Sequence, residues 1–327
     1  MEEQIGSVEQ YMKNCRLCPR ECGADRTRGR AGRCGVGSGI LIARAALHFW
    51  EEPCISGNAG SGAVFFTGCS LGCIYCQNAP ISGVGHEMLG REVTITQLGD
   101  IFLRLQDKQH ASNINLVTAS HYIPQTAAAL LYAKRKGLRI PVVYNSSGYE
   151  KADSLRMLEG LVDVYLPDFK YIDPELAFQY SRARDYPDRV REALAEMFRQ
   201  TGPVRFSDGM VTRGVIVRHL LLPGHVKDAK AIVKELHDTY ADAVCISLMN
   251  QYTPMEALRN DPLLGRKVTA REYRRLIDYA IETGVENGFI QEGATAEESF
   301  IPAWNGEGVI SSEENEELCR AGKSVQR

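Results

Sequence analysis

Six short apolar runs, each followed by a stretch with helical spacing, constrain the fold of this chain more than any other feature. The runs are "AVFFTGC" (63–69), "INLVTAS" (114–120), "IPVVYNS" (140–146), "VDVYLPDFK" (162–170), "GVIVRHLLLPG" (214–224) and "AVCISLMNQY" (243–252). The clearest helix follows the fourth run. There Val190, Ala193, Leu194, Met197 and Phe198 repeat at helical intervals, and Gly202-Pro203 closes the segment. Another opens at "DPEL", with Asp173 as N-cap and Pro174 at the first helical position. Strands alternating with helices build a parallel sheet wound in one direction. Eight such units close a barrel. Six predict an α/β fold, a partial (β/α)6 TIM-like barrel with an open side, and a flat doubly wound sheet is the alternative.

Either arrangement collects ligands at the C-terminal ends of the strands. Those ends read "TGCS", "TASHY", "NSSGY", "PDFK", "LLPGH" and "MNQY", so polar groups and glycines converge on one rim. The first carries "GCSLGCIYCQN" (68–78), which places Cys69, Cys73 and Cys76 in a C-x3-C-x2-C spacing. Gly68 and Gly72 permit the positive φ that a tight wrap needs. Three thiolates at this spacing can hold three irons of a cubane iron–sulfur cluster and leave the fourth iron open. A zinc site with an external ligand is the alternative, although catalytic zinc more often uses histidine and carboxylate.

"CSLGCIYC", with aromatic Tyr75 before its last cysteine, resembles the signature of the radical S-adenosylmethionine (SAM) superfamily. The resemblance implies that Cys69, Cys73 and Cys76 hold a [4Fe-4S] cluster and that the methionine end of SAM chelates its open iron. It also implies that Tyr75 packs near the adenine, and that one electron from the cluster cleaves SAM to a 5′-deoxyadenosyl radical. Over roughly residues 15–300 the chain is further similar to the pyruvate formate-lyase activating-enzyme branch, in particular its PflX-like members. "YNSSGY" resembles that branch's Asx-Thr-Asn-Gly element, "LPDFK" its Asp-x-Lys element, and "VRHLLLPGH" its Val-Arg-x-x-x-x-Pro-Gly strand. This implies that Asn145 and Ser146 approach the methionyl end of SAM, that Asp168 and Lys170 line the site, and that Arg218 reaches it. Asn145, Ser146, the carbonyl of Leu166 and Asp168 would surround a monovalent cation. A plain Asp168–Lys170 ion pair and a surface Arg218 are the structural alternatives.

One departure stands out. The branch carries Gly-Gly-Glu-Pro after its second strand to hold the SAM amino group, whereas this chain has "TASHYIP" (118–124), without a carboxylate. Ser120 is the expected substitute, a weaker neutral acceptor. His121 is the candidate proton carrier, against the plainer reading of a hydrogen-bonded rim residue.

Further cysteines precede the alternating region. Cys15, Cys18, Cys22 and Cys34 provide four ligands, enough for a site that closes on itself. Structural zinc and a second iron–sulfur cluster both remain open, and the spacing departs from the ferredoxin pattern C-x2-C-x2-C-x3-C. Cys54 is a potential substitute ligand, and Cys245, inside "AVCISLM", reads as a small buried hydrophobe. The chain divides into a Cys-rich metal-binding extension (1–60), the partial barrel (61–291) and a glutamate-rich C-terminal tail (292–327).

A net charge of -3 and a pI near 6.2 provide no basic field, so no nucleic-acid partner is indicated. No apolar run approaches the ~18 residues of a membrane span. The polar start "MEEQIGSVEQYMKN" does not read as a secretory signal, and the cysteine clusters (five before residue 60, three at 69–76) fit metal sites better than disulfides. The expected location is cytoplasmic. The leading functional expectation is an oxidoreductase that abstracts a glycyl hydrogen from a partner enzyme, served by a flavodoxin- or ferredoxin-type reductant under anaerobic conditions. A radical SAM enzyme acting on another peptide, a nucleoside or a small molecule is the second. A non-catalytic iron–sulfur or zinc module is the third, since fold alone does not fix substrate.

Overall fold

Residues 7–29, 31–83, 88–291 and 302–309 are described by the computed structural model. The strands are β1 (Ile40–His48), β2 (Ser61–Phe66), β3 (Arg91–Val93), β4 (Ile114–Val117), β5 (Val142–Ser146), β6 (Val164–Pro167), β7 (Arg205–Ser207), β8 (Met210–Leu220), β9 (Cys245–Met249) and β10 (Gly288–Ile290). They form one sheet in the order β10-β9-β8-β6-β5-β4-β2-β1-β3, with β7 paired to β8 as a hairpin. Pairings from β2 through β10 are parallel, whereas β1 runs antiparallel to β2 and β3 antiparallel to β1. The ends, β3 and β10, do not pair with each other, so the barrel stays open.

All six apolar runs are strands of this sheet. β2, β4, β5, β6 and β9 are buried at every position, the mark of parallel strands covered on both faces. The helix at 188–200 extends over Tyr186–Thr201 and ends where Gly202 N–H returns to Phe198 O. Asp173 caps Pro174–Ser181 by accepting from Glu175 N–H at 2.8 Å. β10 adds a seventh parallel strand, too short at "GFI" to carry a period of its own. No helix among the described residues is long and apolar enough to cross a membrane.

The N-terminal extension is built into this sheet. β1 is its longest stretch, and Cys34 and Val36 belong to the same contiguous core as the barrel helices. The following residues turn under the open barrel, where Cys54 and Ile55 pack against Val143, Val164, Leu166, Ile216 and Cys245. Cys54 is therefore a floor residue, away from the other N-terminal cysteines, and Cys245 is buried beside it as read from the sequence. Of the C-terminal tail, residues 302–309 lie along β1. Ala45 N–H donates to Glu307 O at 2.9 Å, Gly306 N–H to Ala43 O at 3.1 Å, and Trp304 meets Phe65 edge-on at 5.2 Å. The rest of the tail, with Cys319, lies outside the described residues.

Gly68 joins the extension to the barrel. Its φ is +97°, and a Cβ there would stand 2.8 Å from Cys34 O and 2.9 Å from Val36 Cγ1. Both its conformation and its surroundings require glycine. Gly68→Ala is expected to cost about 1–3 kcal/mol, read as a lower urea midpoint with an unchanged m-value.

Candidate functional site

Strand register gathers the rim residues into one layer. Val117 pairs with Asn145, Asn145 with Leu166, and Asp168 bridges to Arg218. Asp168 N–H donates to Ser146 O at 2.9 Å, and Phe169 N–H to Arg218 O at 2.8 Å, fixing three strand ends against each other. Above this layer lies a cavity of about 230 Å³ whose lining includes Cys69, Cys73, Cys76, Tyr75, Asn145, Ser146, Asp168, Lys170 and Arg218. The expected three-cysteine loop and the expected polar residues from three other strand ends thus meet at one place.

The loop is held by its own turns and by its neighbours. Cys76 N–H donates to Cys73 O at 3.2 Å, and Ile74 N–H donates to Tyr180 O at 2.9 Å. Ser181 Oγ stands 3.1 Å from Cys73 Sγ. Tyr75 is buried, with its hydroxyl 2.6 Å from that of Tyr171, and its ring meets Tyr171, Tyr180 and Tyr252 edge-on. Burial pushes the Cys76 thiol up to about 12, with Cys69 and Cys73 adding to the shift, and it raises the Cys69 thiol too. Metal binding at this loop must therefore displace protons. Among the described residues no three cysteine, histidine or carboxylate side chains stand as a finished single-ion cage. As a donor set, three thiols on one cavity wall fit a cluster with one open iron, and the cavity faces that open position.

The opposite wall is a row of alternating charges. Arg218 donates from Nη1 to Glu51 Oε2 at 3.1 Å, from Nε to Asp168 Oδ1 at 3.2 Å and from Nη2 to Asn145 Oδ1 at 2.6 Å. Lys170 Nζ donates to Asp168 Oδ2 at 2.6 Å. Glu51 Oε1 accepts from Asn115 Nδ2 at 2.9 Å and from Asn145 Nδ2 at 3.3 Å. Burial alone would raise the Asp168 carboxyl, but Lys170 and Arg218 outweigh it and hold that carboxyl below its usual range. Burial likewise works against the Lys170 ammonium, which Asp168 nevertheless keeps above its ordinary value. The Asp168–Lys170 pair and a cavity-lining role are thus one arrangement. Asn145 Oδ1 and Asp168, acceptors that the resemblance assigned to a monovalent cation, are engaged here by Arg218 and Lys170.

Glu51 was missed by sequence reasoning. It supplies to the cavity the carboxylate that "TASHYIP" lacks, from the segment that crosses beneath the barrel. The signal was the acidic pair in "HFWEE", directly after a strand rich in apolar residues. Ser120 and His121 are placed elsewhere: Ser120 contrary to the expectation that it substitutes for the missing carboxylate, His121 in keeping with its plainer reading as a hydrogen-bonded residue. β4 ends at Val117, and Thr118, with a φ of +63°, turns the chain into a 3-10 turn over Ser120–Tyr122. Ser120 Oγ donates to buried Glu150, and His121 Nε2 sits 2.8 Å from Thr67 O. Burial, reinforced by Arg26, drives His121 down to about 3, so it stays neutral and structural. Thr118 is the residue of this turn that lines the cavity.

The remaining four cysteines gather in one lobe of the extension, with Cys15, Cys18 and Cys34 buried and Cys22 exposed. The lobe abuts the three-cysteine loop directly, Cys69 N–H lying 3.3 Å from Cys34 O.

A family model of the radical SAM superfamily matches residues 63–236. The uncharacterized protein MJ0674 of Methanocaldococcus jannaschii is 25% identical over 284 residues, spanning 86% of this chain and 78% of that protein. Two crystal structures of Streptococcus suis SuiB, one bound to S-adenosylmethionine, align at a TM-score of 0.48 and 12% identity. They cover 69% and 72% of this chain but 48% and 51% of SuiB, so the chain spans about half the length of those solved structures.

The Ser120–Glu150 pair gives the fold a pH dependence. Burial raises the Glu150 carboxyl from 4.5 to about 7, against the hydrogen bond from Ser120 that favours the ion. The folded chain therefore binds this proton more tightly than the unfolded one. The resulting stability is complete below about 4.5 and is lost as pH rises through about 7. Urea midpoints taken at about pH 5 and pH 8 should fall for the native chain, and Glu150→Gln should remove much of that fall. The proton linkage corresponds to a change on the order of a hundredfold in the folding equilibrium.

Proposed function

The chain belongs to the radical SAM superfamily, and on that premise we propose an enzyme of the activating type, which uses SAM to draw a hydrogen atom from a segment of a partner polypeptide. The observation that carries this reading is the pairing of the two cavity walls. Cys69, Cys73 and Cys76 stand on one, and the row Glu51–Arg218–Asp168–Lys170 stands on the other.

Superfamily membership implies a [4Fe-4S] cluster and SAM as the pair that supplies the 5′-deoxyadenosyl radical, and the residues present fit both. Cys69, Cys73 and Cys76 are the cluster ligands. The α-amino acid end of SAM carries one positive and one negative group, so a wall offering carboxylate and cation alternately can bind both ends of it. Glu51 takes the amino group, the role that a glutamate after the second strand plays in the activating enzymes. Arg218 and Lys170 serve the carboxylate, with Asn145 and Ser146 beside them. Tyr75, locked by its bond to Tyr171, forms the apolar side of the nucleoside pocket. Asp168 holds both cations in place and keeps Lys170 charged.

A polypeptide substrate is supported by the mouth of the site. The sheet is open between β3 and β10, and Phe49 and Trp50 are 52% and 55% exposed, with Trp50 at the cavity edge. Aromatic side chains at such an edge provide anchoring area for a peptide backbone. A glycyl radical enzyme is the partner class that the activating-type reading implies, with a flavodoxin- or ferredoxin-type protein as reductant.

Anaerobic reconstitution with iron and sulfide should give a cubane spectrum that SAM perturbs, followed by release of 5′-deoxyadenosine on reduction. Ala at Cys69, Cys73 or Cys76 should abolish both. A cubane indifferent to SAM would sink the assignment. Glu51→Gln should leave the cubane spectrum intact and weaken SAM binding by about 10–100-fold, the cost of replacing a charged partner in a desolvated site. For the substrate class, a glycyl-type radical on a co-purified partner is the expected electron paramagnetic resonance signal. SAM-dependent turnover of a small molecule with no polypeptide radical would overturn that part.

A further inference from the structure

We propose that Cys15, Cys18, Cys22 and Cys34 bind one zinc ion, and that the zinc-filled knuckle clamps the three-cysteine loop in its working shape. The backbone already folds as a knuckle. Cys15 N–H donates to Ala24 O, Gly23 N–H to Cys15 O, Glu21 N–H to Cys18 O and Gly35 N–H to Gly32 O, each at 3.0 Å. Gly32 lies against the sulfurs, since a Cβ there would stand 3.0 Å from Cys22 Sγ and 3.7 Å from Cys34 Sγ. The C-x2-C-x3-C-x11-C spacing departs from the ferredoxin run, and four thiolates close on one zinc with bonds of about 2.3 Å.

A second observation points independently to an anionic centre. Arg26 is 1% exposed, yet no carboxylate pairs with it among the described residues. Its Nε donates to Gly37 O at 2.9 Å, and its Nη1 donates to His121 O at 2.6 Å and lies 3.8 Å from Cys15 Sγ. Its Nη2 is buried without a hydrogen-bond partner, and the guanidinium lies 5.3 Å from the centre of the Tyr122 ring. A guanidinium does not give up its proton, and a buried charge without a counter-charge is costly. Zinc with four thiolates is dianionic and sits where this cation needs an anion. Binding releases the thiol protons to solvent and involves no redox change.

The knuckle is joined to the loop by short-range contacts. Arg20 lies between Cys18 and Cys22 in the sequence, so a metal bound to both fixes its position. Its Nε donates to Ser70 O at 3.0 Å, and its Nη2 donates to Leu71 O at 3.2 Å and to Ser181 O at 2.8 Å. Ser70 and Leu71 are inside the cluster loop, and Ser181 touches Cys73. Cys34 O receives the N–H of Cys69 from the other side.

The zinc assignment stands apart from the proposed reaction, whereas the clamp rests on it, and two measurements separate them. The full chain carrying Cys69→Ala, Cys73→Ala and Cys76→Ala, produced with both iron and zinc available, should retain about one zinc per chain and no iron. About four irons in that variant would overturn zinc, and no metal would overturn the site. In the chain with its loop cysteines intact, Arg20→Met should keep the zinc and the cubane but weaken SAM binding about tenfold, followed by the SAM-induced change in the cubane spectrum. Unchanged SAM affinity would overturn the clamp while leaving the zinc result standing. Cys22→Ser, at the exposed ligand, should lose zinc and show the same weakening. Retention of a full zinc in Cys22→Ser would remove Cys22 from the ligand set and overturn the four-cysteine assignment.

Discussion

Arg218 carries a permanent charge with 15% of its side chain exposed, and the rim is organised around neutralising it. Removing one partner from a buried ion pair costs roughly 3–5 kcal/mol, because the other charge is left stranded. Glu51, Asp168 and Asn145 each supply an acceptor, and each comes from a different part of the chain. The guanidinium therefore ties the crossing segment, β5, β6 and β8 into one unit. The same geometry keeps Lys170 in the cavity with the cysteine loop, so stability and site construction have a common origin.

The sheet was legible in the sequence because parallel strands buried on both faces are near-continuous apolar runs, and the helices between them carry clear caps and stops. The three-cysteine loop at the cavity was legible because its spacing is local. What escaped was long-range. The cavity carboxylate sits on Glu51, more than sixty residues before the element where a glutamate was sought, and no local pattern links the two positions. β10 is three residues long and is recruited by β9 rather than by its own periodicity.

Ser120 and His121 lie away from the cavity for a conformational reason. A strand end read linearly places successive side chains near the rim, but left-handed Thr118 diverts the chain before either residue arrives. The diverted turn is still useful. Its carbonyl at His121 receives Arg26, and its ring nitrogen meets Thr67, so the turn ties the cysteine lobe of the extension to the barrel. The division at residue 60 is consequently a boundary in sequence pattern, crossed by one core and one sheet.

The desolvation of Cys76 at the cavity has a chemical consequence of its own. Air oxidation and disulfide exchange proceed through the thiolate, and a thiol held near 12 supplies almost none of it at neutral pH. Cys76 is therefore sheltered from cross-linking by the same desolvation that makes it reluctant to ionise. A newly made chain can keep this sulfur reduced until it is called upon.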